Sequence, residues 1–329
     1  MRGSNPYVFV VGCPRSGTTL LQRMLDSHPQ LAVANDTEFI AAAIEGIRAR
    51  RDLPLTAEIV ERIREFRTPG GRGFHRLGLP EGALESAATG TRTYSELVAE
   101  LYSRFAQLQA KQYAGEKTPD YVRHLSLLHT LFPQAKIVHL IRDGRDVTLA
   151  LVDWAHDSQR NGRLRGPARM PFWHTSPVAA SALWWRWLVE CGRRDATEIG
   201  RAYFEVRYER LVASPEETLR ELTDFLELPF AEQMLTYHLS RERRADDPVT
   251  GASAWLPLTP GLRDWRTQMS VHDAELVEAL TGDLLSDLGY KHAFRKISRP
   301  VRDEAKGYRK RWARKVARRS VHHRLQELR

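Results

Sequence analysis

Tyr7-Val8-Phe9-Val10-Val11-Gly12-Cys13-Pro14-Arg15-Ser16-Gly17-Thr18-Thr19-Leu20-Leu21 reads as a strand, a turn and the start of a helix. Its first five residues are aromatic or β-branched, the types that suit a pleated buried strand. Leu20, Leu21, Met24 and Leu25 then recur at helical spacing. Between the two, Gly12 and Gly17 enclose four residues in the spacing of a phosphate cradle. The glycines let the backbone wrap an anion, and the helix N-terminus presents unpaired N–H groups to it. Loops of this kind that serve nucleotide hydrolysis place Lys and Ser/Thr after the second glycine, for the β/γ-phosphates and for Mg²⁺. Here Thr18 and Thr19 follow Gly17, and the cation is Arg15, inside the loop. The pattern predicts a bound anion without the apparatus for a β/γ-phosphate and magnesium.

Working outward, Leu31-Ala32-Val33-Ala34 predicts a second short strand ending at Asn35-Asp36-Thr37-Glu38. Phe39 to Gln112 carries a helical pattern, interrupted by a glycine-rich surface loop over Thr68–Gly73. Gly115-Glu116-Lys117-Thr118-Pro119 reads as a break before a helix over Tyr121–Leu131. Lys136–Ile141 is a buried-strand candidate, followed by Arg142-Asp143-Gly144-Arg145-Asp146 and a helix from about Val147. A helix over Ala180–Ile199 precedes a strand over Ala202–Tyr208, and helices follow over Pro215–Leu226 and Val271–Leu288. Strands alternating with helices, with no hairpin signal, predict an α/β fold. The expected architecture is a P-loop-type parallel sheet flanked by helices, with helical insertions and a basic C-terminal helix.

A hydrophobic fraction of 42% and a charged fraction of 28% are those of an ordinary globular chain. The net charge of +9 is unevenly placed: Lys291–Arg329 holds 15 Lys+Arg against 3 Asp+Glu, leaving 35 against 38 for the other residues. The basic character therefore belongs to a tail, and the near-neutral body speaks against a nucleic-acid partner. No apolar run approaches the roughly 20 residues needed to span a bilayer. Tyr7–Val11 is too short for a secretory h-region, so the expected location is cytoplasmic. Cys13 and Cys191 make neither a disulfide framework nor a zinc set, and no metal site is expected. Ala305, Tyr308, Trp312 and Val316 recur at three and four residues in the basic tail. A helix there has one apolar stripe, which suits an anionic membrane surface, an acidic partner or docking on the body.

Pro14-Arg15-Ser16-Gly17-Thr18-Thr19 resembles the 5′-phosphosulfate loop of the sulfotransferase superfamily, in the form found in tyrosylprotein and many bacterial sulfotransferases. Leu25-Asp26-Ser27-His28-Pro29 resembles the run that follows it there. The resemblance implies an enzyme that uses 3′-phosphoadenosine-5′-phosphosulfate (PAPS, with PAP as product), held by Arg15, Ser16, Gly17, Thr18 and Thr19. Ile141–Val147 resembles the family's 3′-phosphate segment, which assigns Arg142 to that phosphate; the serine usual eight positions on is Ala150 here. Glu116-Lys117-Thr118-Pro119 resembles a segment whose lysine reaches the transferring group, implying that role for Lys117 beside Arg15. Asn35–Phe39 falls where many relatives read "ETxF", so Asp36 takes the general-base position, with Glu38 as the competing carboxylate and helix capping as another use of either. Tyr208-Glu209-Arg210-Leu211 resembles the segment whose tyrosine lies near the adenine, ordinary core packing being the alternative. Arg263-Asp264-Trp265-Arg266 resembles a further block, but Leu256–Pro260 replaces its usual basic residues.

The expected organisation is a sulfotransferase domain over 1–295 and a basic amphipathic tail over 296–329. The acceptor is a hydroxyl on a small molecule, glycan, lipid or tyrosyl peptide; residues 40–112 and the 157–176 connection, a lid candidate, are expected to shape its pocket. Two rival readings stay open. A P-loop kinase using ATP and Mg²⁺ would need Asp143 as the metal-holding acid and is weakened by Thr18 where lysine belongs. A non-enzymatic protein that binds anionic surfaces would rest on the tail alone. Trp184, Trp185 and Trp187 read as core rather than as a stacking platform.

Overall fold

The computed structural model describes residues 5–68, 71, 73–162, 164–239 and 263–327, with 317–327 as backbone. In chain order the elements are β1 (Val8–Gly12), α1 (Thr18–Asp26), β2 (Leu31–Asn35), α2 (Phe39–Ala42), α3 (Ala57–Glu65), α4 (Ala83–Thr89), α5 (Tyr94–Leu108) and β3 (Tyr113–Lys117). There follow α6 (Leu125–Leu131), β4 (Lys136–Ile141), α7 (Gly144–Arg160), α8 (Pro177–Ile199), β5 (Tyr203–Arg207), α9 (Tyr208–Ala213) and α10 (Pro215–Leu226). The chain ends with α11 (Trp265–Gln268), α12 (Val271–Asp287) and α13 (Arg299–Glu327). These elements fall into two compact units, residues 1–141 with 191–260 and residues 142–190 with 261–329.

The first unit holds a five-stranded sheet in the order β2-β3-β1-β4-β5, and every pairing is parallel. β1 is central because all five of its residues are buried. Val8 and Val10 face a core shared with Leu21, Met24 and Leu25 of α1 and Leu219, Leu222 and Leu226 of α10. Each such fully buried side chain contributes about 1.5–3 kcal/mol. Phe9 points the other way, onto Tyr121 and Phe132. From β1 the chain first crosses to the edge strand β2 and returns to β3 beside β1, then builds outward on the other side through β4 and β5. That makes the end of β1 the switch point, where open α/β sheets place their ligands.

β3 corrects the expectation of a chain break at Gly115–Pro119. Tyr-Ala-Gly-Glu-Lys has no β-branched residue, yet it pairs on both sides, with Val8↔Gly115 and Asn35↔Lys117 among the registers. Gly115 is required: a Cβ there would stand 2.5 Å from Val8 Cγ1 and 2.6 Å from Val8 O. The helix expected over Tyr121–Leu131 is instead a 3₁₀ turn, Pro119–Arg123, followed by α6.

In the second unit, α7 starts at Gly144 rather than near Val147, capped by the Asp143 carboxylate on the Arg145 amide (2.9 Å). The Trp185 ring lies against Gly144, where a Cβ would fall 2.6 Å from it. Trp184 and Trp185 are buried, as core residues are. Within the 157–176 connection Phe172 and Trp173 are 1% exposed, and Trp173 donates to Gln159 Oε1 (2.9 Å). Val301, Ala305 and Tyr308 of α13 are buried, Tyr308 against Phe172, and Trp312 stacks edge-on to Trp184 and Trp187. Docking is therefore how the apolar stripe of the tail is used. Leu256–Pro260, and part of the Thr68–Gly73 loop, lie outside the described residues.

Candidate active site

The loop between β1 and α1 has the geometry its glycines predicted. Gly12 and Gly17 have φ of 155° and 100°, and Arg15 between them also lies in the left-handed region at 73°. A Cβ at Gly12 would stand 2.5 Å from Leu140 O, and one at Gly17 2.6 Å from the Tyr208 ring. Tyr208 therefore lies directly on the loop. Arg15 is exposed, and Thr18 and Thr19 open α1. Ser16 is fully buried, and its Oγ has no hydrogen-bond partner among the described residues. A hydroxyl buried in this way is costly, and an oxyanion seated in the loop would satisfy it. Cys13 is 1% exposed, and burial pushes its thiol pKa well up, so the protonated form persists. It behaves as the small structural residue of the turn.

Two neighbouring strand ends bring a carboxylate and a lysine together. Asn35 of β2 pairs with Lys117 of β3, so the next residue, Asp36, donates its N–H to Lys117 O (2.7 Å). Lys117 Nζ lies 3.0 Å from Asp36 Oδ1 and 3.3 Å from Thr19 Oγ1. The lysine side chain is 1% exposed and that of Asp36 18%. Asp36, Lys117 and the loop threonine thus form one line. Glu38, the competing carboxylate, occupies the N-cap position of α2 at φ 56°.

Glu116 is the residue that the sequence reading passed over. Fully buried, it accepts from the Thr37 amide (2.9 Å), the Tyr102 hydroxyl (2.7 Å) and the Thr118 hydroxyl. Burial raises its pKa and those three donors oppose the rise. No sequence signal marked it, because a glutamate beside a lysine reads as a pair of solvated residues, and its burial comes only from the packing of β3 against α5.

In the second unit, Arg142 donates to Asp146 Oδ2 (3.3 Å) and to Arg263 O (3.3 Å). Asp146 in turn accepts the Trp265 amide (2.9 Å). Arg145, in the same segment, is not solvated. It is 1% exposed, pairs with Asp143 (2.7 Å) and Glu278 (2.6 Å), and lies over the Trp265 ring at 4.1 Å. Ala150 is buried in α7 and offers no hydroxyl.

The sequence model of the sulfotransferase family matches residues 6–232, more than two thirds of the chain. The chain belongs to the sulfotransferase family. Among curated relatives, this sulfotransferase-family chain is 27% identical over 297 residues to nodulation protein NoeE of Sinorhizobium fredii, covering 87% of this chain and 66% of that protein. It is 24% identical over 257 residues to protein-tyrosine sulfotransferase 1 of Danio rerio, covering 74% and 62%. The chain thus spans less than two thirds of the length of these relatives. A solved sulfotransferase domain of the Synechococcus PCC 7002 olefin synthase superposes with a TM-score of 0.55 at 23% identity, over 88% of this chain and 97% of that one. That likeness establishes the fold, a parallel sheet flanked by helices. Among the described residues no helix is long and apolar enough to cross a membrane.

Proposed function

We propose that this chain transfers the sulfuryl group of PAPS to an acceptor hydroxyl by in-line displacement. The contact of Lys117 with both Asp36 and Thr19 carries the reading, since it sets a proton acceptor and a cation beside an anion-binding loop. The loop suits the 5′-phosphosulfate on two counts, the buried Ser16 hydroxyl and the glycine cradle. When bound, PAPS supplies the electrophilic sulfur and a phosphate leaving group. Asp36 takes the proton of the acceptor hydroxyl as its oxygen bonds to sulfur. Arg15 and Lys117 stabilise the charge that gathers on the sulfuryl and phosphate oxygens as the bridging S–O bond breaks, and such preorganised electrostatics is often the largest catalytic term. Ser16, Gly17, Thr18 and Thr19 hold the phosphosulfate, Arg142 the 3′-phosphate, and Tyr208 borders the adenosine.

In this reading residues 1–295 are the catalytic domain and 296–329 a basic tail of a cytoplasmic protein. With its apolar seam docked, α13 meets an anionic membrane surface through charge alone. The relatives named protein-tyrosine sulfotransferases make a tyrosyl peptide the first acceptor to screen with labelled donor, before sugars, lipids and small-molecule hydroxyls.

A thermal-shift comparison tests the donor assignment. Metal-free adenosine 3′,5′-bisphosphate at a hundredfold excess over its Kd should add about 2.7 kcal/mol of stability. Stabilisation by ATP·Mg²⁺ and none by the bisphosphate would overturn the reading.

A further inference from the structure

Two non-glycine residues within three positions, Asp36 and Glu38, adopt left-handed backbone at φ 55° and 56°. Each such residue costs on the order of 1–3 kcal/mol and persists only where its surroundings over-determine it. What holds this turn is the pair of residues at the end of β3. Lys117 takes Asp36 by its main-chain oxygen (2.7 Å) and its ammonium (3.0 Å). Glu116, on the opposite side of the strand, takes the next amide, that of Thr37 (2.9 Å). Its carboxylate is itself fixed by Tyr102 of α5 (2.7 Å) and by Thr118. The Tyr102 hydroxyl also lies 3.3 Å from Thr37 Oγ1, closing a ring around the turn.

We infer that Glu116 is a positioning residue for the reaction proposed above. By holding the Thr37 amide against Tyr102 and Thr118, it fixes the turn that presents Asp36 to Lys117. All three donors point at one carboxylate, and an ionised carboxylate is the only side chain of this size that offers acceptors alone. Glutamine at this position keeps the volume but has one acceptor oxygen, and its NH₂ group faces donors. The turn then loses part of its hold, and Asp36 moves relative to the lysine and the acceptor. A displacement of this kind acts on turnover and leaves the phosphate loop to bind as before, since the hydrogen bonds of Glu116 run to Thr37, Tyr102 and Thr118 and not to that loop.

The inference rests on Asp36 as the base, and a double-mutant cycle separates the two. Parent, Glu116→Gln, Asp36→Asn and the double variant are compared with labelled PAPS and the best acceptor of the screen, each variant's melting temperature being recorded. Glu116→Gln is expected to lower kcat about tenfold, with adenosine 3′,5′-bisphosphate affinity within about twofold of the parent. In the Asp36→Asn background the same change should cost less than about twofold further, because its effect passes through Asp36. An equal loss in both backgrounds makes Glu116 merely structural and overturns the inference while Asp36 stands. Parental kcat for Asp36→Asn overturns the base assignment and the inference with it. Should Glu116→Gln not fold, Tyr102→Phe removes one of the three donors in a buried ring of unchanged shape. The same non-additivity with Asp36→Asn is required of it.

Discussion

Lys117 Nζ lies 3.0 Å from Asp36 Oδ1, and the lysine is buried while the aspartate keeps an exposed edge. As the proposed base, Asp36 is ion-paired on one side and reachable on the other, so it can accept a proton without rotating away. Asp36→Asn keeps the size and loses the basicity, so kcat should fall by about 10²–10⁴ with donor affinity little changed. Asp36→Glu should retain more activity than Asn, and Glu38→Gln should be mild. Rapid-quench measurement of the chemical step checks this. A near-parental Asp36→Asn with an inactive Glu38→Gln would pass the role to Glu38.

Arg15 and Arg142 are each assigned to a divalent phosphate group. Hydrogen bonds to charged groups contribute about 1.5–3 kcal/mol each. Arg15→Ala and Arg142→Ala should therefore weaken adenosine 3′,5′-bisphosphate binding by about 10-fold to 100-fold. Calorimetry giving both variants the parental Kd would show the nucleotide to be misplaced.

Arg145 and Glu278 form an ion pair at 2.6 Å with both side chains buried. Removing one partner of a buried pair costs up to about 3–5 kcal/mol, and less here, because Arg145 keeps Asp143 and Glu278 keeps the Ala293 and Phe294 amides. Arg145→Met or Glu278→Leu should each lower the unfolding free energy from urea titration within that range, and the double variant should lose less than the sum. Simple additivity would mean that the two charges do not interact.

His139 is buried in β4 with its Nδ1 2.6 Å from the Tyr203 hydroxyl. Burial, aided by the cations Arg207 and Arg193, pushes its pKa from 6.5 down to about 3. Between those values the unfolded chain binds the proton and the folded chain does not, so stability is lost as pH falls through this window. Replacing His139 with Gln should flatten that loss in urea titrations between about pH 7 and 4. Parallel curves for parent and variant would remove His139 from the account.

Along α13, Arg302, Lys306, Lys310, Arg311 and Arg314 are exposed while Val301, Ala305 and Tyr308 are buried. Each cation near an anionic surface is worth about 1 kcal/mol. Screening shrinks that interaction to a range of about 3 Å in 1 M salt. The chain should sediment with anionic vesicles at low salt and release at high salt. Lys310→Glu with Arg314→Glu should abolish sedimentation and spare turnover on a soluble acceptor. Binding that survives 1 M salt would mean that the apolar seam undocks.

The sequence by itself determined the phosphate loop, four of the five strands and the parallel class of the sheet. It could do so because glycine spacing and β-branched runs are local properties, readable without a partner. The family resemblance also lay in contiguous stretches, and it singled out Arg15, Asp36, Lys117, Arg142 and Tyr208. Only the tertiary structure decided β3, whose small and charged residues become a strand because β1 and β2 supply hydrogen bonds on both sides. It also decided where the charges go. Lys117, Glu116 and Arg145 look like surface residues in the sequence and are buried here, each against partners at least two residues away and most far along the chain. Burial of a charge depends on which partner reaches it, and that is set by packing between elements, not by the order of the residues.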